Sequence, residues 1–193
     1  MAAIKNKNIV LILFCALLPI VLLLLSYKIV LLFIELTPAQ ENVFGYLNGK
    51  QELSPAFTEL EVSHLEDVKR VMHYDNYLFY LLLLAVTVII ASYRKDKTFL
   101  RTLLNYGGKT TVTAMMAIGM LSIFFFNSIF TLFHKLFFPQ GNWVFAADSK
   151  IIQTFPIDFF MKISRNIFLL ALFLGIIFIL IGYYLKNVPS NRN

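Results

Sequence analysis

Four runs of nearly uncharged residues dominate this 193-residue chain: about Ile9 to Tyr27, Tyr77 to Tyr93, Thr111 to Phe133, and Ile163 to Leu185. Each is close to the 20 residues that an α-helix needs to cross a hydrocarbon core roughly 30 Å thick. A backbone in lipid must satisfy its own polar groups, so runs of this length predict helices rather than strands. With 59% hydrophobic and only 15% charged residues, the chain has too little polar surface to clothe a soluble domain. The expected fold is therefore an all-α polytopic membrane protein with four transmembrane helices, forming a single domain over residues 1–193.

Charge orients this bundle. With both termini in the cytoplasm, the inner segments hold Lys5, Lys7, Arg94, Lys95, Lys97, Arg101, Lys109, Lys186 and Arg192 against the lone Asp96. The other cations and carboxylates then fall mainly in the longer outer segments, 28–76 and 134–162, which is the arrangement the positive-inside rule favours. The formal charge of +6 is thus a consequence of topology, and nucleic acid is not an expected partner. Lys5 and Lys7 before an apolar core resemble a signal peptide, but no small-x-small site follows Leu25, so the first run is expected to stay attached. The single cysteine, Cys15, lies within that run, which leaves no disulfide framework. Lys28, inside an apolar stretch, is expected to snorkel toward headgroups.

The two outer segments should pack together as a small extracytoplasmic cap. In the first, a short helical turn over Val43 to Leu47 is expected to stop at Asn48-Gly49. A helix follows in "TELEVSHLEDVKRVMHYDNY", where both Thr58-x-x-Glu61 and Ser63-x-x-Glu66 have the form of a capping box. His64 and Asp67, three apart, would then share a face. The second segment leaves the third span through His134 and turns at "FFPQGNW"; its tail, "FAADSKIIQTFP", is expected to hold a short strand or hairpin.

All three histidines, His64, His73 and His134, fall in these outer segments. Taken one by one they suit polar anchors at the water interface. Two of them, His64 and His134, sit at the predicted outer mouth of the bundle on segments that must meet. Two imidazoles there, with Asp67 or Glu61 behind one, would form an acid/base site at headgroup depth. Other chemistries find less support: there is no Gly-x-Ser-x-Gly elbow and no Gly-rich phosphate loop. Zinc held by His64, His134 and one of Glu61, Asp67 or Asp75 would make a membrane hydrolase, without the His-x-x-x-His spacing that distinguishes such sites. A non-catalytic assembly protein is the third alternative.

The stretches "EVSHLEDVKRVM" and "FHKLFFPQGNWVF" resemble the lipoprotein intramolecular transacylase (Lit) family of Gram-positive bacteria. The resemblance runs through four spans, a Glu-x-x-His-x-x-Asp-Val helix before the second (Glu61, His64, Asp67, Val68) and a Phe-His to Gly-Asn-Trp junction after the third (Phe133, His134, Gly141, Asn142, Trp143). It implies a membrane enzyme that moves an ester acyl chain of a diacylglyceryl-Cys lipoprotein to the α-amine of the same cysteine, giving the lyso form. The partners it implies are diacylated lipoproteins and membrane lipid, and it implies no metal and no cofactor. On this likeness His64, oriented by Asp67 or Glu61, and His134 divide the roles of base and acid in either order, while Gly141, Asn142 and Trp143 contact substrate. A monomer is expected.

Overall fold

The computed structural model describes residues 6–185 and consists, among these, of helices and loops only. Lys5, Lys186 and Arg192, which contribute to the charge argument, lie outside the described residues. Four helices are long and apolar enough to cross a membrane: α1 (Lys7–Phe33), α3 (Glu59–Tyr93), α4 (Lys97–Phe137) and α6 (Ile157–Tyr184). Two short ones, α2 (Pro38–Leu47) and α5 (Lys150–Thr154), cover one end of the bundle. The protein is a multi-pass membrane protein.

Helix α1 packs against α3, α4 and α6. Its buried positions Val10, Phe14, Leu18, Val21, Leu22 and Ser26 recur at helical spacing, so one stripe carries the contact. All but Ser26 form the bundle core together with Phe99, Leu100, Leu103 and Leu104 of α4 and Val86 of α3. Close approach depends on Gly107 and Gly108: a Cβ on the first would lie 2.6 Å from the Phe14 ring, and on the second 2.7 Å from the Gly175 carbonyl oxygen of α6. Small residues at such crossings are the usual means of packing helices in lipid, where the solvent is as apolar as the side chains.

Past Met115 the bundle opens. Helix α4 buries no further side chain until His134, leaves helical geometry at Phe125 (φ −130°, ψ 28°), and turns Met116, Met120, Ile123 and Phe124 outward. At the opposite end Asp96 caps α4 by accepting from the Phe99 N–H (3.0 Å) and pairs with Lys7 (2.6 Å), which closes the short connection from α3.

The cap has its own core of Val43, Leu65, Ile151 and Phe155. Helix α2 starts at Pro38, earlier than the expected Val43, because Thr37 and Gln40 form a full capping box with proline in the first turn. It ends as expected at Asn48, with Gly49 at φ +70°. For α3, Thr58 is the cap: its N–H and hydroxyl both donate to Glu61 (2.7 and 2.9 Å). Ser63 is interior, so His64 lies in the second turn and the helix runs unbroken from cap to the far side of the bundle. The expected strand or hairpin in residues 145–156 is instead α5, since Ile151 and Phe155 lie four apart and both reach the cap core. Lys28 donates to Asp75 (3.0 Å) and Asn76 (2.6 Å), tying α1 to α3.

Candidate active site

His64 on α3 and His134 near the end of α4, 70 positions apart in sequence, stack with ring centroids 6.0 Å apart and planes 28° from parallel. Both are buried, at 6% and 9% exposure. Around them stand Phe138 and Phe145, 4.8 and 5.6 Å from the His64 centroid, and Phe130 and Trp143, 4.1 and 5.0 Å from that of His134. The pair lies beyond the apolar runs of both helices, since residues 59–76 of α3 hold that helix's charged side chains. His73 is exposed and meets only Tyr77 among aromatic neighbours, and so stands apart from the pair.

Hydrogen bonding fixes the state of one ring. His134 Nδ1 lies 2.8 Å from the Phe130 carbonyl oxygen, one turn back on α4. A carbonyl can only accept, so Nδ1 carries the hydrogen; burial lowers the His134 pKa despite that bond, so the ring is neutral and Nε2 presents a lone pair. His64 is held neutral by the same cause: burial, and then the neighbouring His134, lower its pKa to about 4, with Asp67 and Asn142 pulling the other way. The site is thus built from two uncharged imidazoles in an aromatic shell.

Asp67 does not hydrogen-bond to His64. Its carboxylate accepts from Asn142 Nδ2 (2.7 Å) and from Gln140 Nε2, and pairs with Arg70 (3.1 Å). It therefore anchors the loop after α4 to α3. Gly141 makes the turn possible at φ +80°, a conformation that a Cβ disfavours. Asn142 also donates to Ser63 Oγ (3.2 Å), and Trp143 lies against His134.

Glu61 does not back either imidazole through any of its hydrogen bonds. Fully buried, it closes the capping box of α3 and accepts the Ile151 N–H (2.8 Å), satisfying a free donor at the start of α5. Burial opposes its ionisation, yet hydrogen bonds from Thr58, Ile151 and Lys150 outweigh burial and hold its carboxyl below the usual range. With Glu61 engaged there and Asp75 paired to Lys28, the ligand set expected for zinc is not gathered. Among the described residues no group of three or more His, Cys, Asp or Glu comes together as metal ligands would.

Gln140 and the walls formed by Phe130, Phe138 and Phe145 have no part in the expected site, and Ser63 was expected only as a helix cap. Phe130 was the one with a signal, being one turn before His134 on the same face. Away from the pair, α4 also lines an open hollow of about 370 Å³ with Asn127, Ser128, Thr131, Leu132 and Lys135.

Residues 35–160 match the family model for the lipoprotein intramolecular transacylase Lit, a region that contains the cap, the two histidines and the helices carrying them. The membrane-integral lipoprotein intramolecular transacylase Lit from Bacillus cereus has a similar fold: TM-score 0.80 over 93% of this chain and 95% of that one, at 21% identity. A histidine-to-alanine variant of the same protein superposes with a TM-score of 0.76 at 20% identity, over 93% of each chain. An uncharacterized protein of Aquifex aeolicus (strain VF5) is 25% identical over 148 residues, 75% of this chain, and the match spans 63% of that relative's length.

Proposed function

This chain belongs to the lipoprotein intramolecular transacylase Lit family, and from that membership we propose that it converts diacylglyceryl-Cys lipoproteins to the lyso form at the outer face of the membrane. The observation that carries the mechanism is the stacked pair His64 and His134 inside an aromatic shell. The cation distribution supports an outer location for the cap, with both described helix ends at the Arg94–Lys97 connection facing the cytoplasm.

The reaction joins two groups of one molecule. The α-amine of the modified cysteine attacks a glyceryl ester carbonyl, an N–C bond forms, the ester C–O bond breaks, and the amine proton ends on the glyceryl oxygen. Effective molarities of roughly 10⁵–10⁸ M in well-oriented intramolecular cases remove the need for an enzyme-bound acyl intermediate. What the site must supply is orientation and a proton carrier. His134, with its lone pair at Nε2, takes the amine proton as the tetrahedral adduct forms and returns it to the departing oxygen. His64, also neutral, stands beside the same adduct as the second proton acceptor and donor. Phe130, Phe138, Phe145 and Trp143 exclude water, so the amine of the substrate outcompetes hydrolysis. The outward-facing, apolar part of α4 below His134 offers acyl chains a path from the bilayer.

Acyl migration leaves the mass of a lipopeptide unchanged, so position must be read. Purified protein incubated with a diacylated lipopeptide is expected to yield a product of equal mass whose fragmentation places one acyl chain on the α-nitrogen. Release of free fatty acid, or recovery of unaltered substrate, would overturn this function.

A further inference from the structure

Asn142 is held from one side only. Its Nδ2 donates to Asp67 Oδ2 at 2.7 Å and to Ser63 Oγ at 3.2 Å. A carboxylate cannot donate, so the amide nitrogen faces Asp67 and both of its hydrogens are used. Its Oδ1, by contrast, is sealed from solvent with no hydrogen-bond partner. His64 Nδ1 is sealed and unpartnered as well, and the two groups that hold Asn142, Ser63 and Asp67, flank His64 on the same helix. A free acceptor and a ring nitrogen that can bear a hydrogen are thus both buried beside Ser63 and Asp67, where an unmade hydrogen bond is costly.

We propose that Asn142 is a positioning residue: its Oδ1 accepts the His64 Nδ1 hydrogen, and Asp67 orients His64 through this carboxamide rather than by direct contact. The inference rests on the proposed transacylase reaction, in which His64 needs a defined ring nitrogen free for proton transfer. With Nδ1 committed to Asn142, Nε2 is the atom left for the substrate, matching the state that Phe130 imposes on His134. A neutral bridge also keeps the carboxylate at one remove, so the ring stays uncharged. Titratable and charged groups facing His64 are His134 from α4 and Asp67 from its own helix, with Arg70 behind Asp67.

The test is ¹⁵N NMR on the full-length, detergent-solubilised protein with labelled histidine, together with lipopeptide kinetics. The wild type is expected to show His64 hydrogenated at Nδ1. In Asn142→Ala the resonance should move toward a tautomer mixture, with kcat down by about 10–100-fold, the range for orienting partners, and KM little changed. Asn142→Asp should raise the pH at which His64 protonates, because a charge replaces the neutral bridge. Asp67→Asn, which frees the carboxamide without deleting it, should give a smaller tautomer shift and covers the case of a poorly folding alanine variant. An unaltered His64 tautomer and pH profile in Asn142→Ala and Asp67→Asn, or an effect on KM alone, would overturn the proposal. The NMR readout needs no turnover, so loss of the transacylase assignment would leave it standing or falling on its own.

Discussion

His134 gives its Nδ1 hydrogen to the carbonyl oxygen of Phe130, 2.8 Å away and one helical turn earlier, and so meets the rest of the site with a lone pair. His64 faces it across 6.0 Å. If these rings carry the proton, His134→Ala and His64→Ala should each lower the transacylation rate by about 10²–10⁴-fold, the usual share of acid/base catalysis. Thermal unfolding in detergent should show both variants folded. Wild-type rates in both would refute proton transfer by the pair.

The pH dependence of stability follows from His64. Its folded pKa, about 4, lies below its ordinary 6.5, so the unfolded chain binds the proton first as pH falls. The contribution is complete above pH 6.5 and is lost progressively down to about pH 4, at up to about 1.4 kcal/mol per pH unit. Denaturation of wild type and His64→Phe between pH 7 and 4 checks this; equal slopes in the two would contradict it. For the rate, burial keeps both rings below their ordinary pKa, His64 at about 4, which leaves the substrate's α-amine, with a pKa of roughly 7.7–8.0, to set the acid limb. The rate should rise toward pH 8 with no inflection near 6.5.

Glu61→Gln separates structure from chemistry. The carboxylate joins the starts of α3 and α5, and its loss should cost about 1–3 kcal/mol, as for charge-assisted hydrogen bonds at helix caps. The melting temperature should fall while kcat well below it stays near the wild-type value. A kcat loss as deep as that of the histidine variants, in folded protein, would return Glu61 to the reacting groups.

Gly141→Ala tests the loop. Nothing lies within 4 Å of the Cβ it would add, so the whole effect comes from a backbone at φ +80°, at about 1–2 kcal/mol. Because Asn142 and Trp143 follow directly, turnover should drop too. An active variant of unchanged stability would show that this turn is dispensable.

The spans and the meeting of His64 with His134 were legible because hydrophobic run length and charge asymmetry are strong signals, and because a bundle's loops must converge at its ends. The start of α3 was ambiguous because Thr58 and Ser63 carry the same local motif; at Thr58 the capping Glu61 also holds Ile151, 90 residues away, a contact that sequence spacing does not display. The same distance effect hid the role of Glu61 and led to α5 being taken for a strand, since a five-residue helix has too few turns to display its period. Asp67 was found as a neighbour of the site, but its partners Gln140 and Asn142 come from a loop whose path depends on Gly141.

Helix α3 passes from its cap at Thr58 to Tyr93 without interruption, which makes it a rigid ruler. The count of residues between its lipid-embedded half and His64 sets how high that ring stands over the acyl esters, in steps of about 1.5 Å. Inserting or deleting a full turn would keep each side chain on its face yet move the ring about 5.4 Å along the axis. Reach is thus written into the length of one helix, and a membrane of different thickness would call for a different count.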